Sequence, residues 1–326
     1  MKQHALPLLA GLLLGGALIV GTANAVVHFY VDAVRYAGNA PRTRQDTLPP
    51  CPPDVLQWRG GLCGNPRQDA GLAFDDVTVA TPRGVTLRAW WVPATDGAPT
   101  VVFAHGVGAD RREGLRIART VHDAGWSLLL LDLSNHGTSD NDGTGARYGA
   151  VERLDVLAAA SWVREQKRAP RVVGFGISMG GASVLMAAAA DDRALIDGVV
   201  VEAPFASLPE LLIKEGELRH LPRMLALAVM DELRDTMGPL VFAHSPAAAA
   251  AAVSPRPLLL IVDGKDQLVP AWHANLIYDL ARQPKSRLDL EEAEHAMGFN
   301  VAAERYTAAV RSFLTGLTTS VTAARP

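Results

Sequence analysis

From about residue 74 the chain switches between two hydrophobic patterns. Val77-Thr78-Val79 alternates apolar and polar positions, Thr81-Pro82-Arg83-Gly84 supplies a turn, and Leu87 to Val92 runs mostly apolar, which predicts an antiparallel hairpin entering a sheet. Short unbroken apolar runs follow at Val101 to Ala104, Leu128 to Leu131, Val172-Val173, Val199 to Val201 and Leu258 to Val262, with a weaker one around Leu288 and Leu290. These runs are too short for helices and lack polar alternation, so they suit strands buried on both faces. Between them lie helical stretches at Gly114 to Ala124, Val151 to Gln166, Met179 to Ala190, Ala271 to Ala281 and Ala302 to Leu317. Such alternation predicts an α/β architecture, a mainly parallel sheet covered by helices on both faces.

Two segments break the alternation. Leu208 to Ser245 is long, apolar and rich in Met and Leu, and reads as a helical insertion able to roof a pocket (residues 208–245). Ala247 to Ala252 reads as a helical turn or two leading into Pro255. Residues 32–71 read as a linker and irregular lead-in, 72–318 as the α/β domain and 319–326 as a tail.

At the N-terminus Lys2 precedes an uncharged apolar run from Ala5 to Gly21, followed by Ala23-Asn24-Ala25, an A-x-A cleavage pattern. Residues 1–31 are therefore expected to lie outside the fold, as a signal peptide or a membrane anchor that Val26 to Val31 extends, with Tyr30 and Tyr36 at the interface. We expect the domain to lie outside the cytoplasm in the cell envelope. In that setting Cys51 and Cys63 read as a disulfide, the alternative being two unpaired residues.

Composition narrows the classes. The chain has 326 residues, 49% hydrophobic and 20% charged, with a formal charge of −3 and no Lys/Arg run. That fits a globular chain with no clustered basic footprint for nucleic acid. Two cysteines and nine scattered histidines show no zinc spacing, and no metal or cofactor is expected.

The strongest chemical signal is Gly174-Phe175-Gly176-Ile177-Ser178-Met179-Gly180-Gly181, which directly follows a predicted strand and opens an alanine-rich helix. A serine on that sharp turn takes a strained backbone, and Gly176 and Gly180 leave room for the chain to pass. Its bland alternative is a Gly-rich helix start with Ser178 as capping residue. A serine nucleophile needs a base, and His295 lies in the loop after the last predicted strand. Asp266, on the loop after Leu258 to Val262, is the first choice of acid; Asp263 at the strand end is the alternative, and Glu202 is an outsider. His220, His244 and His273 read as surface or packing residues. For the oxyanion, the Met179 N–H and the Val107 N–H of Phe103-Ala104-His105-Gly106-Val107-Gly108 are the candidates, with Gly106 permitting close approach and His105 packing beneath.

With these residues in place the chain from about Phe74 to Leu317 resembles the α/β-hydrolase superfamily. His105-Gly106 is similar to the family's strand-ending turn, Asp132-Leu133-Ser134-Asn135-His136-Gly137-Thr138-Ser139 to its D-x-R-G-H-G-x-S segment, and Ser178, Asp266 and His295 fall on its triad. Cys63-Gly64-Asn65-Pro66, Trp90-Trp91-Val92-Pro93 and the apolar N-terminus resemble membrane-associated bacterial members. Ser134 and Asn135 depart from the pattern, so the ion pair of its Arg is not expected here.

The resemblance implies an ester or thioester hydrolase acting on a small or lipid-like acyl substrate. Two rivals stand beside it. One is an aminopeptidase-like amidase using Glu202, Glu210 or Glu215 to bind an amine; the other is a non-catalytic envelope protein that keeps the fold as a surface.

Overall fold

The computed structural model describes residues 21–37, 46–51 and 61–319. Eight strands form one sheet in the order β1-β2-β4-β3-β5-β6-β7-β8: β1 Asp75–Ala80, β2 Thr86–Val92, β3 Thr100–Ala104, β4 Ser127–Leu131, β5 Val172–Ile177, β6 Gly198–Glu202, β7 Leu258–Asp263 and β8 Lys285–Leu290. The β1–β2 and β2–β4 pairs are antiparallel and the pairs from β4 onward are parallel. The predicted hairpin and all six apolar runs are therefore strands. Every residue of β3, β4, β5, β6 and β7 is buried.

Alternation within those runs divides the core in two. Val102, Ala104, Leu129, Leu131 and Val201 join Val156, Ala159, Ala182 and Val184 on one face. Val101, Phe103, Leu128, Leu130, Phe175 and Ile177 join Leu115, Ile117, Tyr306 and Val310 on the other. Helices Glu152–Gln166 and Met179–Ala189 cover the first face, and Leu115–Asp123 and Gly298–Thr319 the second. Full burial of each Val, Leu, Ile or Phe side chain among them contributes about 1.5–3 kcal/mol.

The N-terminal expectation needs correcting. Residues 21–35 are helical, and Val27, Val31 and Val34 are buried in the first core. The boundary expected at residue 31 thus falls inside a helix that packs on the domain. Among the described residues no helix is long and apolar enough to cross a membrane; residues 5–20 of the apolar run lie outside them. Cys51 and Cys63 are joined as a disulfide, and Pro66–Ala70 is a short helix. It is capped by the Asn65 side chain, which accepts from the Arg67 and Gln68 N–H groups, and stopped by Gly71 at φ 64°. Asn65, Pro66 and Gly71 are start and stop residues visible in the sequence.

The insertion forms helices Leu208–Leu218, Arg223–Met237 and Pro239–Ala243, and the alanine run forms Pro246–Ala250.

Candidate active site

β5 runs into helix Met179–Ala189 without a linker, and Ser178 occupies the junction at φ 53°, ψ −117°. That conformation is costly for a non-glycine residue. Neighbouring glycines make it possible: a Cβ on Gly176 would lie 2.2 Å from the Gly180 carbonyl oxygen, and one on Gly180 2.1 Å from that of Ala104. The backbone is held by Ser178 N–H donating to Glu202 O (2.9 Å). The Ser178 side chain makes no cap hydrogen bond to its helix, so the capping alternative fails.

Ser178 Oγ lies 3.0 Å from His295 Nε2, and His295 Nδ1 lies 2.6 Å from Asp266 Oδ2. An ionised carboxylate can only accept, so Nδ1 carries the proton and Nε2 turns its lone pair to the serine hydroxyl. Asp266 is itself fixed: its Oδ1 accepts the Leu268 and Val269 N–H groups at 2.9 and 2.7 Å. Asp263 does not reach the imidazole. Its Oδ2 accepts the Ala296 N–H at 2.8 Å, holding the histidine loop by its backbone. Glu202 is turned the same way, accepting from Gly298 N (3.0 Å) and Tyr306 OH (2.6 Å). Burial, then the Glu202 carboxylate, then that of Asp266, push Asp263 up to about 9.

Val107 and Met179 sit with Ser178 and His295 on the wall of a cavity of about 280 Å³. The Met179 N–H is among the first of its helix, which have no intrahelical acceptor. His105 lies beneath, its Nε2 accepting Leu133 N–H at 3.1 Å and its Nδ1 against Gly106 O at 2.7 Å. A Cβ on Gly106 would lie 3.5 Å from Ser178 Cβ, an ordinary contact, so close approach alone does not demand glycine there. The insertion contributes Leu211, Glu215 and Arg219 to the wall. Of the glutamates considered for an amine, Glu202 is buried behind the site and Glu210 is exposed off the lining. Glu215 accepts Arg219 Nη2 at 2.8 Å. His220 and His244 lie outside the lining, and His273 is buried with Nδ1 accepting Ala206 N–H.

A sequence profile described as alpha/beta hydrolase fold matches residues 99–245. The YqkD protein of Bacillus subtilis (strain 168) is 26% identical over 239 residues, covering 73% of this chain and 78% of that protein. Among solved structures, an esterase of Pyrococcus furiosus, Pf2001, superposes with a TM-score of 0.64 at 20% identity, covering 84% of this chain and 98% of that one. The GrgF alpha/beta hydrolase of Penicillium sp. sh18 gives 0.60 at 19% identity, over 74% and 98%. The chain has the α/β-hydrolase fold.

Several residues that build this site are not marked in the sequence. Glu113 lines the cavity and its Oε2 accepts the Gly106 N–H at 2.7 Å. Arg116, also buried, donates through Nη1 to Ala296 O at 2.7 Å and lies 3.7 Å from Glu113 Oε1. Ala296 thus has its N–H held by Asp263 and its carbonyl by Arg116, at φ 58°. Glu113 and Arg116 carry no local signal, since charges at a helix start ordinarily face water. The ion pair not expected at Ser134 is formed from elsewhere: Arg83 reaches Asp155 at 2.6 Å, and Asp155 accepts the Ser134 N–H and hydroxyl. Asn135 adopts φ 63°, a conformation asparagine tolerates.

Proposed function

We propose that this protein is a serine hydrolase that cleaves carboxylic esters or thioesters through an acyl-Ser178 intermediate. The reading rests on one observation: a strained serine hydroxyl 3.0 Å from an imidazole whose other nitrogen is 2.6 Å from a carboxylate, at the wall of a cavity. Ser178 Oγ attacks the acyl carbon as His295 Nε2 takes its proton. The carbonyl electrons move to oxygen, where the Val107 and Met179 N–H groups stabilise the charge. When the tetrahedral species collapses, the bond to the leaving oxygen or sulfur breaks and His295 returns the proton to it. Water then attacks the acyl-enzyme with His295 again as base, releasing the acid and the free serine. Asp266 holds the imidazole in its productive tautomer and stabilises its cation without taking the proton.

Ester rather than amide chemistry is favoured by Glu215, whose carboxylate is engaged by Arg219 rather than left to bind an amine. Turnover of p-nitrophenyl esters should fall about a millionfold in kcat in Ser178→Ala, with thermal unfolding unchanged. Equal turnover by the two proteins would remove the assignment. A fluorophosphonate probe that labels the wild type and not Ser178→Ala excludes the non-catalytic reading. The Cys51–Cys63 disulfide supports a domain outside the cytoplasm. A cysteine-directed mass tag that modifies both residues without reductant in protein taken from cells would argue against that location.

A further inference from the structure

The helix over residues 21–35 does more than cover the core. Ala33 and, just past its end, Ala37 line the cavity that holds Ser178 and His295. Its C-terminal carbonyls, which no helical N–H can satisfy, are taken by the loop after β4. Ala146 N–H donates to Arg35 O at 2.7 Å and Tyr148 OH to Val34 O at 3.1 Å, while Tyr36 OH donates to Gly143 O at 3.3 Å. The approach is close: a Cβ on Gly145 would lie 2.3 Å from Arg35 O, and one on Gly108 3.0 Å from Ala37 O. The segment is thereby fixed against both the oxyanion turn and the loop carrying Tyr148, itself a wall residue.

The other apolar walls, Phe205, Leu211 and Leu268, already carry large side chains. Small residues face the cavity at Gly106 and Ala296, on the catalytic loops, and at Ala33 and Ala37. The cavity, about 280 Å³, is slightly smaller than the usual range of ligand pockets, roughly 300–1,000 Å³. We propose that Ala33 and Ala37 determine acyl specificity: the N-terminal helix is the wall that fixes how long an acyl group the site accepts. This rests on the ester and thioester reading above and names the part of the substrate that is selected. Each methylene that fits contributes about fourfold to kcat/KM, and a side chain added at Ala33 removes that gain for the methylenes it displaces.

The test is a p-nitrophenyl series of acetate, butyrate, octanoate and dodecanoate on wild type, Ala33→Gly, Ala33→Leu, Ala33→Trp and Ala37→Met. In the Leu, Trp and Met variants octanoate turnover should fall about tenfold or more relative to acetate turnover by the same protein, in order of added volume. Ala33→Gly should shift the preference towards longer chains. Proportional losses at every chain length in variants that melt like wild type, or an unchanged preference, would overturn the proposal. Binding of octanoate, followed by calorimetry on the same variants and on Ser178→Ala, reads the wall without the chemistry. If octanoate binds wild type and Ser178→Ala but not Ala33→Trp, the wall is established even where ester turnover is absent. If Ala33→Trp binds octanoate as wild type does, the wall is refuted whatever Ser178 does. Should the Trp variant fail to fold, Ala33→Gly and Ala33→Leu carry the same comparison.

Discussion

On the loop after β7, Asp266 accepts two backbone N–H groups and lies 2.6 Å from His295 Nδ1. At the end of the strand, Asp263 meets one backbone N–H and the carboxylate of Glu202, in a place equally sealed from water. A Cβ on Gly298 would lie 2.9 Å from Glu202 Oε1 and 3.0 Å from Asp263 Oδ1, so the two carboxylates face each other across that glycine. Burial, then the Glu202 carboxylate, push Asp263 up to about 9. Surroundings, not residue type, decide which carboxylate can serve a histidine. Asp266 is placed against the imidazole and two backbone donors, whereas burial and then the Glu202 charge make Asp263 a group that holds a proton and braces a loop.

The contrast is broken most severely by replacing each aspartate with asparagine in turn. Asp266→Asn should lower kcat about 10⁴-fold, because an amide favours the wrong imidazole tautomer. Asp263→Asn should cost less than about tenfold, since the amide carbonyl can still accept the Ala296 N–H and the native group is already uncharged at neutral pH. Steady-state kinetics on both variants decides it, and the reverse ranking would move the catalytic acid to Asp263.

A second way to sharpen the comparison leaves both aspartates intact and loosens what they share. Arg116 binds the Ala296 carbonyl while Asp263 binds its N–H, and Arg116 also flanks Glu113, the acceptor of the Gly106 N–H. It therefore joins the oxyanion turn to the histidine loop. Arg116→Met should reduce kcat about a hundredfold through misplacement of these loops, with KM little changed, and Arg116→Lys should recover part of the loss. Fluorophosphonate labelling of Ser178 should slow in parallel. A loss of stability with normal labelling of the folded fraction would reduce Arg116 to a core support.

Much of this was legible from the chain because the causes are local. The glycines at 176 and 180 announce a turn that only they allow, and the buried strands announce themselves as unbroken apolar runs. The N-terminal helix was misjudged although its signal was present. Val27, Val31 and Val34 repeat at helical spacing, flanked on one side by His28, Asp32 and Arg35, a stripe concealed by the uniform run before it. Arg83–Asp155 and Arg116–Ala296 were not legible at all. Each joins residues far apart in sequence, and burial of such a charge depends on the packed fold rather than on its neighbours.

A test of another kind reads the proton on Asp263 through stability. Its ordinary value is 3.8 and folding pushes it up to about 9, with burial the largest cause and the Glu202 charge next. Between those values the folded protein binds a proton that the unfolded chain releases, so the contribution of this group to stability is complete below about 3.8 and is lost as pH rises towards about 9. The slope is at most about 1.4 kcal/mol per pH unit, softened by other groups that titrate in the same range. Asp263→Asn abolishes that slope while keeping the acceptor for Ala296. Its melting temperature relative to wild type should therefore rise steadily from pH 5 to pH 9, as read by thermal unfolding in matched buffers. The same substitution leaves Asp266 beside a neutral group at every pH. A gap that stays constant across the range would mean that Asp263 is ionised in the folded protein, and the division of labour between the two aspartates would then need another cause.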